Sequence, residues 1–211
     1  MSMLNLMELK QKHNLDIKGI IHIGANTGQE LKAYEQLGVK NVIFIEPIPE
    51  IFAKLTQLKS EVCNLTFYNV AISHYEGKAS FNVTNNGESS SLLDLKQHRM
   101  YYPGIYVTKK IQVDVITLDK LIEKYSIDMK MYNMINMDIQ GNEFNAIIGS
   151  RQALNNIDYI NLEVNKEELY GGCAMDYQID FVLSLMNYYK VAEIFEHHSW
   201  GDAFYIKKNA N

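Results

Sequence analysis

Short apolar runs rich in β-branched residues alternate, for most of this chain, with segments whose apolar residues recur at helical spacing. Ile17 to Ile23 is the first such run, and Val42 to Ile45, Leu65 to Ile72, Tyr132 to Ile139 and Ile157 to Val164 follow it. Helical segments fall between them: Thr27 to Leu37 closed by Gly38, Glu50 to Leu58 after Pro49, Leu118 to Tyr125, Glu143 to Ile148 and Met175 to Tyr188. Strands joined through helices run parallel, so an α/β fold is expected, with one mostly parallel sheet and helices on both faces. Val191 to Phe195 and Ala203 to Ile206 are separated by a connection too short for a crossover, which makes an antiparallel pair of them.

The 211 residues suffice for one sizeable core, and residues 1–211 are taken as a single domain with a leading helix in 1–16. Ala79 to Val83 and Lys110 to Val115 alternate as exposed strands, whereas residues 84–108 have no period and are expected to form a loop or cap insertion. A net charge of −5 and only two arginines, Arg99 and Arg151, argue against a nucleic-acid partner. Cys63 and Cys173 lack ligand spacing, and no apolar run is long enough to span a bilayer, so a reducing, cytoplasmic setting without membrane attachment is expected. The oligomeric state is not legible.

The first run ends on Gly24-Ala25-Asn26-Thr27-Gly28, and the second on Glu46-Pro47. In open parallel sheets ligands settle beyond the carboxyl ends of the strands. Glycines there admit positive φ and close approach, a following helix aims N–H groups at the ligand, and a carboxylate on the next strand can receive both ribose hydroxyls. A nucleoside cradle is the simplest expectation; a purely structural turn is the competing one. The spacing is G-x-x-x-G with Asn26 in the middle, unlike the G-x-G-x-x-G of dinucleotide sites.

Ile23-Gly24-Ala25-Asn26-Thr27-Gly28, Phe44-Ile45-Glu46-Pro47-Ile48-Pro49, Asn69-Val70-Ala71-Ile72-Ser73, Ser89-Ser90-Ser91-Leu92, Thr117-Leu118-Asp119 and Asn136-Met137-Asp138-Ile139-Gln140-Gly141-Asn142-Glu143 follow one another in order. In that order they resemble the FkbM family of S-adenosylmethionine-dependent methyltransferases, over about residues 19 to 165. The resemblance implies a class I methyltransferase, Rossmann-like fold: a seven-stranded, mostly parallel sheet with an antiparallel last strand. It also implies S-adenosyl-L-methionine as cofactor. Gly24, Asn26 and Gly28 would surround its methionine part, with Ala25 and Thr27 between them; Glu46, beside Pro47, would hold the ribose, and Asn69 to Ala71 would border the adenine. His22 stands where many methyltransferases carry an acid that meets the cofactor amine, and Gln140 replaces the more frequent Glu of D-x-E-G-x-E.

Methyl transfer to a hydroxyl needs an acceptor held in line and a group to take its proton. Asp138, at the end of the fourth parallel strand, is the candidate base and a further cofactor neighbour; its competing role is the N-cap of the helix near Asn142. Glu163 ends the next strand and is expected near Asp138, a pair able to activate a hydroxyl, shift one partner's pKa or bind a divalent cation, the last not favoured. His197 is a second candidate base or a solvated loop histidine. For the acceptor, Tyr101 and Tyr102, with Tyr106, stack on a sugar or pin the loop; Ser89 and Ser91 contact ligand or serve as linker; Glu143 complements a helix dipole or meets substrate. The expected function is O-methylation of a sugar, glycan or related small molecule. A nicotinamide-dependent oxidoreductase and a non-catalytic nucleoside-binding protein are the alternatives.

Overall fold

The computed structural model describes residues 4–196 and 199–208. Its main sheet has seven strands: β1 (Gly19–Ile23), β2 (Asn41–Ile45), β3 (Asn64–Tyr68), β7 (Met134–Met137), β8 (Tyr159–Asn165), β9 (Tyr188–Phe195) and β10 (Trp200–Lys207). They lie in the order β3-β2-β1-β7-β8-β10-β9. β10 runs antiparallel to both of its neighbours, and the remaining pairings are parallel, as the class I methyltransferase resemblance implies.

Alternation within the buried strands sends successive side chains to opposite faces, so both faces must be covered. Ile20, Val42, Phe44 and Met134 face α1 (Leu6–His13), α2 (Leu31–Gln36) and α3 (Pro49–Leu55), through Leu6, Leu9, Leu31, Tyr34 and Leu55. Ile21, Ile23, Ile43, Ile135 and Ile160 face α5 (Leu118–Tyr125), α6 (Glu143–Ile148) and α7 (Asp176–Leu185). No helix among the described residues is long and apolar enough to cross a membrane.

The strand expected from Leu65 to Ile72 is two. β3 stays in the main sheet, while β4 (Ala71–Ile72) joins β5 (Gly77–Thr84) and β6 (Val107–Ile116) in a small sheet ordered β4-β6-β5. The break falls at Asn69, whose amide donates to the carbonyls of Glu46 (2.7 Å) and Pro47 (3.1 Å) and so draws the chain toward the end of β2. Residues 84–108 contain one short helix, α4 (His98–Tyr101), and are tied down by bridges from Ser91 to Asn82 and from Leu95 to Tyr170. The helix expected from Thr27 starts only at Leu31, because Asn26 (φ 47°) and Gly28 (φ 77°) hold the preceding residues in a turn.

Candidate active site

The carboxyl ends of β1, β2, β7 and β8 open into a cavity of about 270 Å³, roofed by the 84–108 segment. His22, Gly24, Ala25, Asn26, Glu46, Pro47 and Ala71 line it, as do Asp138, Glu163, Ser89 and Tyr102. Thr27, Gly28, Asn69, Ser91, Tyr101 and Glu143 are not part of that lining. His197 lies outside the described residues.

The glycine turn is built by packing. A Cβ on Gly24 (φ 83°) would stand 1.9 Å from the Asp138 carbonyl oxygen, and one on Gly28 would stand 2.4 Å from Leu58. Its N–H groups are already engaged. Gly24 and Ala25 donate to the Ile45 carbonyl (2.9 and 3.0 Å), Asn26 to Glu46 Oε2 (3.0 Å), Thr27 to Asn26 Oδ1 (2.7 Å) and Gly28 to the Ala25 carbonyl (2.8 Å). The N–H groups of residues 24–28 thus hold the turn together, and toward the cavity these residues present acceptors and contour.

Glu46 is that acceptor. Oε2 takes the Asn26 N–H and Oε1 the Ile48 N–H (2.8 Å), leaving a second lone pair on each oxygen. Burial raises its carboxyl to about 7, against the pull of those two N–H groups. His22 is buried beneath the turn. The Asn136 amide donates to Tyr34 Oη (2.8 Å) and lies 3.2 Å from His22 Nε2, while Asn161 donates to Asn136 Oδ1 (2.7 Å). With Nε2 facing a donor, Nδ1 carries the proton, 3.2 Å from Tyr34 Oη and 3.9 Å from Glu30 Oε2. Burial lowers the His22 pKa, so the ring is neutral near pH 7.

Asp138 and Glu163 do converge, and Gln140 joins them. Its Nε2 donates 2.6 Å to Asp138 Oδ1 and 2.6 Å to Glu163 Oε2, and its Oε1 accepts from Tyr170. Gln140 sits at φ 57°, a left-handed conformation unusual for a side chain of this length. The amide answers the substitution noted in the sequence: a neutral donor spans two acids where a third acid would repel them. Burial, then the charges of Asp138, Glu143 and Asp202, push the Glu163 carboxyl well above the usual range, favouring its protonated form. Among the described residues no three or more His, Cys, Asp or Glu side chains are grouped to hold a metal ion.

Asp138 is not the cap of α6. Asn142 occupies that position, and Glu143 instead fixes the loop, its Oε1 accepting from Ile139 (2.9 Å) and Gly141 (3.3 Å). Ser91 does similar work by donating to the Gln140 carbonyl (2.8 Å) and accepting the Leu93 N–H, and Tyr101 donates to Glu167. Sequence reasoning missed His98, Tyr170, Trp200 and Asp202, all in the cavity wall. Trp200 is the sole tryptophan of the chain, the one local signal for any of them.

A family model described as "Methyltransferase FkbM domain" matches residues 22–194. The 2-O-methyltransferase NoeI of Sinorhizobium fredii (strain NBRC 101917 / NGR234) is 27% identical over 161 residues, 72% of this chain and 65% of that protein. The chain thus spans just under two thirds of that relative's length. In fold it is similar to magnesium protoporphyrin IX methyltransferase (ChlM) of Synechocystis PCC 6803 with bound SAM (TM-score 0.55, 9% identity, 96% of this chain and 76% of that one). It is likewise similar to a putative S-adenosylmethionine-dependent methyltransferase of Listeria monocytogenes (TM-score 0.55, 10% identity, 97% and 98%). A match across most of the sequence, on a class I methyltransferase sheet whose strand ends converge on one cavity, means that this chain belongs to the FkbM-domain family of methyltransferases.

Proposed function

We propose that the chain is an S-adenosylmethionine-dependent O-methyltransferase that acts on a hydroxyl of a sugar, a glycan or a related small molecule. The observation that carries the cofactor reading is the pairing of a donor-saturated first turn with the buried Glu46 carboxylate. A diphosphate needs free backbone donors or a cation at such a turn, whereas ribose hydroxyls need acceptors. Glu46 would therefore hold the ribose, and the Gly24-Ala25-Asn26 contour and His22 would border the methionine part. Ala71 and Pro47 would flank the base, with Asn69 holding the Glu46-Pro47 backbone from behind.

The bound cofactor would supply an electrophilic methyl group on a sulfonium. The protein's part is to hold an acceptor hydroxyl in line, to keep water out beneath the 84–108 roof and to take the hydroxyl proton. Asp138 suits the last role: it lines the cavity, and Gln140 fixes its Oδ1. Glu163 suits it less, because its surroundings favour the protonated acid. The relative NoeI, a 2-O-methyltransferase, adds support for an oxygen acceptor. A nicotinamide-dependent oxidoreductase is disfavoured by the saturated turn.

Titration calorimetry tests this reading. S-adenosylhomocysteine is expected to bind and NAD not to; the reverse result overturns it. Asp138→Asn that keeps S-adenosylhomocysteine affinity and loses turnover separates an enzyme from a nucleoside-binding protein on the same fold.

A further inference from the structure

The cavity has two ends. The glycine turn and Glu46 lie at β1 and β2, and on the far side of β7 the ends of β8 and β10 make a second wall with the 84–108 roof. That wall is aromatic. The Trp200 indole N–H donates to Tyr102 Oη (2.8 Å), and the His98 ring packs on Tyr102 and Tyr170, with centroids 4.9 and 5.4 Å away. His98 is buried and contributes to the cavity lining, and its Nδ1 has no hydrogen-bond partner among the described residues.

The charge of the lining is one-sided. Glu30, Glu46, Glu88, Asp138 and Asp202 contribute to it, Glu163 being held toward its protonated form, and among the described residues neither Lys nor Arg does. The nearby lysines of the small sheet point elsewhere: Lys109 pairs with Glu50 (2.6 Å) and Lys110 with Asp94 (3.2 Å), on exposed surface. Neither histidine of the wall restores positive charge, since burial lowers the pKa of both His22 and His98.

We propose that the second wall is the acceptor seat, and that it takes a sugar ring bearing no negative charge, stacked on Tyr102 and Trp200, while phosphorylated and carboxylated sugars are excluded. Aromatic faces match the C–H face of a pyranose, and carboxylates and a neutral imidazole match its hydroxyls. A phosphate or carboxylate entering the same space meets like charge in a low dielectric, and no Lys or Arg of the lining offsets it. Uncharged and amino sugars are thus the substrate class, and nucleoside diphosphate sugars are not. This rests on the methyltransferase reading above and narrows its acceptor.

The test uses the full chain and saturation-transfer NMR. Binding of S-adenosylhomocysteine is first measured by calorimetry, so that failure of the cofactor reading is seen before any sugar is added. Methyl glycosides of glucose, galactose, mannose, fucose and glucosamine are then compared with glucose 6-phosphate and methyl glucuronide, with and without S-adenosylhomocysteine. At least one uncharged or amino glycoside is expected to bind, and the anionic sugars to bind at least about a hundredfold more weakly. Trp200→Leu should weaken the glycoside about tenfold without changing S-adenosylhomocysteine affinity, and Asp202→Asn should narrow the discrimination against the phosphate. Anionic sugars binding as well as uncharged ones, or no uncharged or amino glycoside binding in either state, overturns the proposal. Should Trp200→Leu fail to fold, the same comparison of charged and uncharged sugars on the unaltered chain still decides it.

Discussion

Glu46→Gln separates what the first turn does for the fold from what it does for a ligand. In the folded protein the Glu46 carboxyl prefers its proton up to about 7, against an ordinary 4.5. Ionising it at pH 8 therefore costs about 3 kcal/mol of stability, which the amide does not incur. Against this, the amide offers one acceptor to two backbone N–H groups, from Asn26 and Ile48, and turns its –NH₂ toward the other, at about 1–3 kcal/mol. The two effects nearly cancel, so the ligand-free variant should unfold close to the wild type at pH 8. Binding has no such compensation: losing the charged acceptor of the ribose hydroxyls costs about 2–3 kcal/mol, or roughly 30- to 150-fold in S-adenosylhomocysteine affinity. The pH dependence gives the same answer with a definite sign. A carboxyl whose folded pKa is raised contributes stability below about 4.5 that is lost as pH rises through about 7, while its ability to accept from ribose develops over that same range. Wild-type affinity should fall about tenfold per pH unit below 7 and Glu46→Gln should flatten that slope. Calorimetry from pH 5.5 to 8.5, with thermal unfolding of both proteins, measures each quantity. A variant that folds normally and binds within threefold of the wild type would refute the role given to this carboxylate.

Gly24→Ala should lower stability by about 3 kcal/mol or more, since its Cβ would overlap the Asp138 carbonyl at a φ of 83°; urea unfolding reads the loss. Asp138→Asn should reduce kcat by about 10²- to 10⁴-fold with S-adenosylhomocysteine affinity kept, measured by transfer of labelled methyl. Tyr34→Phe removes the oxygen that accepts from Asn136 and lies against His22 Nδ1 and should cost about 1–3 kcal/mol in urea unfolding.

The centre of the sheet was legible because its strands are buried on both faces: Ile20 to Ile23 and Val42 to Ile45 carry almost no polar side chain, as a central parallel strand does. The small sheet was legible in part: Ala79 to Val83 and Lys110 to Val115 were expected as strands and lie within β5 and β6, whereas β4 was not separated from β3. Ala71 and Ile72 continue the apolar run of Leu65 to Val70, and the bend that sends them elsewhere depends on Asn69 reaching carbonyls more than twenty residues away. The meaning of the glycine turn was half legible. Its position at the end of β1 was expected, but the reason for Gly24 is the Asp138 carbonyl, more than a hundred residues distant in sequence. His98, Tyr170 and Trp200 come from three separate stretches and meet only because Leu95 bridges to Tyr170 and β10 pairs with β8. No local pattern encodes such a meeting.

Gln140 touches more of this molecule than its single side chain suggests. Its amide grips Asp138, Glu163 and Tyr170, and its main-chain oxygen receives Ser91 from the roof. The roof is thereby tied to the side chains proposed to take the proton, so that acceptor binding and proton transfer would be linked through one residue. An engineer who grafted a different 84–108 segment to change the acceptor would alter acidity along with selectivity, unless residues 91, 140 and 170 travelled as a set.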